Sequence, residues 1–161
     1  MSSREFYVER RRAEAPAFDR VLRALPPDRL DYKPHDRSPS AEQIVWTMTK
    51  EIGACVDVAT AYTTEYRLQP PPPLEEMLRL FDAWSEALVD RVSTMTDDDW
   101  TRVAKLHYGG KLMSEQPVDQ FLWFIHFDAI HHRGQLSTYI RPMGGTVPSV
   151  YGPSADSRKA S

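Results

Sequence analysis

The chain holds a single cysteine, Cys55, little convincing strand pattern and almost no charge imbalance. Each shortage excludes something. One cysteine cannot close an internal disulfide, which fits a reducing cytoplasm, and the apolar neighbours of Cys55 at helical spacing assign it to packing rather than nucleophilic chemistry. With 20 basic against 23 acidic residues the net charge is −3, and no basic run extends beyond Arg10 to Arg12, so the electrostatic footprint of a nucleic-acid binder is missing. In the late apolar segment the longest uninterrupted run is Phe121 to Ile125, far short of the ~20 residues that a membrane-spanning helix requires. The opening MSSREFYVERRR is charged and carries no apolar signal core. What is present is enough apolar material, 41% of 161 residues, to fill the core of one domain.

Apolar periodicity and punctuation divide the chain into four helices and a tail, a single domain over residues 1–161. The first helix, residues 1–25, shows its stripe at Phe18, Val21, Leu22 and Leu25, with Pro16 either kinking it or opening a shorter one; Pro26 and Pro27 end it. The second, residues 38–63, is capped either by Ser38 followed by Pro39 or by Ser40 with Gln43 three positions on, and carries Ile44, Val45, Met48, Ile52, Cys55, Val56, Ala59 and Tyr62. Pro70 to Pro73 reads as a stiff spacer. The third helix, residues 73–95, buries a face from Leu74 to Met95, after which Thr96 caps a short helical piece around Trp100. Val103 to Met113, with Gly109 and Gly110 at a turn, fits a small hairpin or an irregular loop equally well. The fourth helix, residues 117–141, is apolar on more than one face and should be the most buried; residues 142–161 form the tail. The fold class expected is all-α, an antiparallel four-helix bundle with a short irregular or hairpin segment before the last helix.

Chemistry concentrates on that last helix. At 3.6 residues per turn Asp128, His132, Gln135 and Tyr139 share a stripe with Phe121, Phe124 and Ile125, so a carboxylate and an imidazole sit one turn apart on an otherwise apolar face. Burying either group costs free energy unless it is paired or bound to metal. A hydrogen-bonded pair closing a polar gap satisfies the spacing, and so does part of a metal or catalytic site, which needs a third group from a facing helix. His131 can compete for Asp128, whereas His126 points to the opposite side as an isolated surface or packing histidine.

The run DAIHHRGQLSTYIRPMGGTVPSVYGPSAD, Asp128 to Asp156, resembles the closing signature of the DinB/YfiT-like family of metal-dependent proteins, and DYKPHDRSPSAEQIVW, Asp31 to Trp46, resembles that family's entry into its second helix. The resemblance implies a four-helix bundle holding a divalent metal, often nickel or zinc, on three side chains, two from the last helix and one from the second. Carried over by position, His132 matches the last-helix histidine ligand and Asp128 the ligand one turn earlier. Where the family places its second-helix histidine this chain has Thr47, whose hydroxyl is a poor ligand. Glu51, one turn further on the same face, either supplies the third ligand or lies solvated. The metal can therefore be nickel, zinc, manganese or iron, or be absent because of Thr47. His35 and His107 sit in connections and match no ligand. Gly134 is read as a close helix crossing, and Tyr151 with Pro153 as anchors of the tail.

Two classes of function follow. One is a metal- or thiol-dependent transferase or hydrolase with a degenerate metal site; the other is a non-catalytic module that lost the metal and kept a pocket lined by Thr47, Phe121, Phe124, Ile125, Gln135 and Tyr139 for a small apolar molecule. A metal-free enzyme, with Asp128 orienting His132 as general base, is a third arrangement of the same residues. The family resemblance also implies a homodimer, the pocket a small-molecule ligand, and charge and apolar run length leave neither nucleic acid nor membrane as an expected partner.

Overall fold

The computed structural model describes residues 1–157; the end of the expected tail, 158–161, lies outside the described residues. Helix α1 runs from Ser3 to Arg23 and starts on a reciprocal cap, the Ser2 hydroxyl accepting from Glu5 N–H while the Glu5 carboxylate accepts from Ser2 N–H at 2.7 Å. It continues through Pro16, because Tyr7, Val8 and Arg11 before the proline and Ala17, Phe18, Val21 and Leu22 after it bury one continuous face. Helix α2, Ala41–Ala61, opens on the same reciprocal cap between Ser40 and Gln43 and stops at Tyr62, whose φ of 56° is left-handed. Helix α3 spans Leu74–Thr94, the single turn α4 spans Asp97–Thr101 under a Thr96 cap, and α5 spans Val118–Ile140.

Helices α1, α2, α3 and α5 pack around one core, α2 against α3 and α5, and α1 against the same pair. Leu122, Ala129, Leu136 and Ile140 bring α5 fully into it. The glycine that permits a close crossing is Gly53, where an added Cβ would stand 3.0 Å from the Trp84 ring of α3. Gly134 had been expected in that role, but it is exposed and a Cβ there meets nothing within 4 Å.

The all-α expectation is overturned. Five helices among the described residues are joined by a three-stranded mixed sheet, β1 (Thr63–Tyr66), β2 (Val103–Tyr108) and β3 (Lys111–Pro117), in the order β1-β2-β3. The hairpin of β2 and β3 turns at Gly109 and Gly110, both at positive φ, and β1 adds to it in parallel with Thr64 opposite Leu106. The physical reason lies in residues read as helix end and spacer. Tyr62 breaks the helix, and Thr63, Thr64 and Tyr66 then suit a pleated surface, but their backbone groups find partners only on a strand some forty positions later, as roughly a dozen or more residues are needed for a parallel crossover. Consequently α2 ends before the expected Thr63, and His107, expected in a connection, lies in β2 beside Thr63 at 3.3 Å.

The tail is strapped to the bundle. Arg133, buried in α5, donates to Glu14 at 2.6 Å and to the Tyr151 hydroxyl, which itself donates to Glu14 at 2.7 Å. Arg20 donates to the Ser149 and Val150 carbonyls.

Candidate metal centre

Three side chains from two helices converge between α2 and α5. Glu51, Asp128 and His132 each present one ligand atom, and these atoms lie within 4.8 Å of one another. Helical phase explains the convergence: Asp128 and His132 are one turn apart on α5, and Glu51 belongs to the face of α2 that packs against it. His132 Nε2 stands 3.2 Å from Asp128 Oδ2, and its Nδ1 stands 2.7 Å from Gln135 Oε1. A carbonyl oxygen accepts, so Nδ1 donates to Gln135, and Nε2 turns toward the two carboxylates. Without a proton or a cation between them, the Nε2 lone pair and the Asp128 oxygen repel.

Glu51 is the unusual member. Its Oε2 is buried without a hydrogen-bond partner. Burial first, and then the neighbouring Asp128 charge, push its carboxyl up to about 8, with a hydrogen bond between the two acids acting in the same direction. Near neutral pH Glu51 therefore holds a proton that a cation would displace. The site is open on one side, since the Asp128 side chain remains 32% exposed and that of His132 19%.

The remaining predicted site residues separate. Thr47 lines a polar groove of about 530 Å³ with Arg37, Ser38, Gln43, Lys50 and Gln69. Phe121, Ile125 and Tyr139 are core residues, the Tyr139 hydroxyl donating to the Pro39 carbonyl at 3.2 Å. Phe124 faces outward, 63% exposed, because it lies about 100° around the helix from Ile125 and cannot share its buried side. His131 is exposed next to His132.

A second polar group, unforeseen from the sequence, occupies the core between α1, α3 and α5. Arg11 is 6% exposed, its Nη1 3.4 Å from His126 Nδ1 and its Nη2 donating to Ser85 Oγ at 3.3 Å, while Nε has no partner. His126 is a packing histidine, buried and not at the surface, but it is not isolated, since it meets Arg11, and desolvation followed by the Arg11 charge lowers its pKa to about 4. It is therefore neutral and accepts from Arg11. The Tyr7 hydroxyl also lacks a partner, and the Cys55 thiol is pushed upward by burial, which suits inert packing. The one available signal was the spacing Tyr7, Val8, Arg11, which continues the α1 stripe toward its N-terminus.

A helical bundle with a two-carboxylate and imidazole cluster between its second and last long helices defines a class of protein, and comparison supplies the family. The DinB family profile matches residues 1–159, and the chain belongs to the DinB family. It is 26% identical over 146 residues to the uncharacterised protein YrdA of Bacillus subtilis, covering 89% of this chain and 84% of that protein. Its fold is similar to that of a DinB-like protein from Bacillus cereus, with TM-score 0.70, 22% identity and coverage of 91% and 97% of the two chains. A DinB-like protein from Bacillus subtilis, YjoA, gives TM-score 0.68 at 18% identity, covering 94% of this chain and 99% of that one. Among the described residues no helix is long and apolar enough to cross a membrane.

Proposed function

We propose that this protein is a metal-dependent transferase or hydrolase of the DinB type whose ion is held by Glu51, Asp128 and His132, with Glu51 replacing the histidine that the family carries at Thr47. The observation that carries the reading is the convergence of three ligand atoms within 4.8 Å, one of them on a half-buried carboxyl whose polar partner is a second carboxylate. The donor set fits a hard divalent ion: two carboxylates and one imidazole favour manganese or iron over the nickel or zinc of a histidine-rich site. Bound there, such an ion would supply Lewis acidity and lower the pKa of a water or thiol presented to it.

The protein's own part is orientation. Gln135 accepts from Nδ1 of His132 and turns Nε2 toward the site, the orientation that both a ligand and a general base require. The raised pKa of Glu51 makes metal uptake release a proton, so affinity should climb with pH through about 8. Metal content of the purified protein, followed by titration of the stripped protein with Mn²⁺ and Zn²⁺, tests the assignment. The expected result is binding that Glu51→Ala and Asp128→Ala each weaken at least about tenfold. Near-stoichiometric metal that survives both substitutions overturns it.

The second reading is a binding module without metal, favoured by Thr47, whose place is in a groove with Arg37, Lys50 and amide side chains suited to a polar ligand. That reading prevails if the stripped protein takes up no divalent ion at any pH at which it stays folded.

A further inference from the structure

We propose that the cleft between α1 and α3 is a binding site for a small monocarboxylate with a short apolar tail, separate from the Glu51, Asp128 and His132 cluster. The cleft encloses about 290 Å³, and its wall includes Arg11, Ser85, Ala15, Phe18, Phe81 and Val89. Its charge is the decisive feature. Arg11 is a permanent cation, nine-tenths buried, and among the described residues no carboxylate oxygen comes within 4.0 Å of it. Its contacts are a neutral imidazole nitrogen and a hydroxyl, both weak compensation for a desolvated guanidinium, and Nε has no partner at all. Buried charges are ordinarily paired, and an unpaired one together with an adjoining cavity specifies an anion.

The walls define the rest of the ligand. Phe18, Phe81, Ala15 and Val89 are apolar and suit a hydrocarbon chain, while the Ser85 hydroxyl, already beside Nη2, can donate to a second carboxylate oxygen. One guanidinium compensates one negative charge, which favours a monoanion over a phosphate dianion. Asp19, Asp82, Glu86 and Arg12 also border the cleft. Arg23 bonds both Asp19 and Asp82, at 2.7 Å to the latter, so those two acids are already engaged at the rim. The carboxylate would sit at the buried end, on the Nη2 edge of the Arg11 guanidinium beside Ser85, because Nε is itself closed off from the cleft, with the tail toward the mouth between α1 and α3.

Octanoate is the probe, with octan-1-ol and acetate as its two halves. Calorimetric titration of the full chain should give saturable one-to-one binding of octanoate, with either control at least about tenfold weaker because a charged hydrogen bond or the apolar burial is lost. The Arg11 Nε–H resonance in a ¹⁵N spectrum should shift along the same isotherm. Val89→Trp, which fills the cleft and leaves the charge alone, should abolish binding, and Arg11→Met should weaken it at least about tenfold. Should Arg11→Met not fold, Val89→Trp and the octanol comparison decide. Octanol binding as tightly as octanoate, unchanged affinity in Val89→Trp, or no saturable heat overturns the proposal.

Discussion

Acid should destabilise this fold through His126, and the amount follows from its surroundings. The imidazole accepts from Arg11 and is faced also by Glu14, Arg133 and Arg10; burial is the largest influence on its pKa, then Arg11, with Glu14 alone acting in the opposite direction. Its pKa falls from 6.5 to about 4 on folding, so the unfolded chain takes up the proton first. The stabilisation is whole above about pH 6.5 and is lost as pH falls toward 4. At 1.36 kcal/mol per pH unit the bound is about 3 kcal/mol, and relaxation with partial solvent screening should leave about 1–2 kcal/mol. Urea unfolding at pH 7, 6, 5 and 4.5 measures this directly when wild type is compared with His126→Gln, which keeps an acceptor for Arg11 but cannot titrate. Carboxylates common to both proteins cancel in the difference. The variant should be less stable than or equal to wild type at pH 7 and gain on it by about 1–2 kcal/mol by pH 4.5. Parallel stability curves for the two proteins across that range would refute a buried, neutral His126.

The metal-free protein should show the opposite trend through Glu51, whose raised pKa means the folded state binds the proton more tightly: stability declines from about pH 4.5 to 8, and Glu51→Gln flattens that decline, as thermal melts in chelator would record. Gly53→Leu should cost about 1–3 kcal/mol by overpacking against Trp84, while Gly134→Leu stays within about 0.5 kcal/mol; equal melting temperatures would contradict the helix crossing at Gly53. Leu122→Ala, at a fully buried position of α5, should cost about 2–5 kcal/mol in urea titration. Phe124 and Phe127, each 63% exposed and one turn apart on α5, are expected to meet their counterparts in a symmetric dimer, so sedimentation should give a dimer that Phe124→Glu with Phe127→Glu converts to monomer. A wild-type monomer at micromolar concentration would dismiss that expectation.

The helices were legible because their determinants are local. A serine cap with glutamine three residues on before α2, prolines before α3 and α5, and apolar residues at spacings of three and four act within a turn or two of chain, so α2, α3 and α5 can be read from sequence alone, and with them the pairing of Asp128 with His132. Nothing local distinguishes Thr63 to Tyr66 as a strand, since its stability comes from hydrogen bonds to β2 on the far side of α3 and α4. Nor does periodicity say which of two glycines faces a tryptophan, because that depends on the rotation of α2 against α3. Whether Glu51 turns outward or inward depends on how α2 meets α5, and Arg11 carried no signal beyond its place in a stripe. Sequence determined which faces of the helices are apolar; only the tertiary packing decided which polar groups are trapped between them, because burial, and with it the cost of an unpaired charge, is a property of the assembled neighbours and not of any one segment.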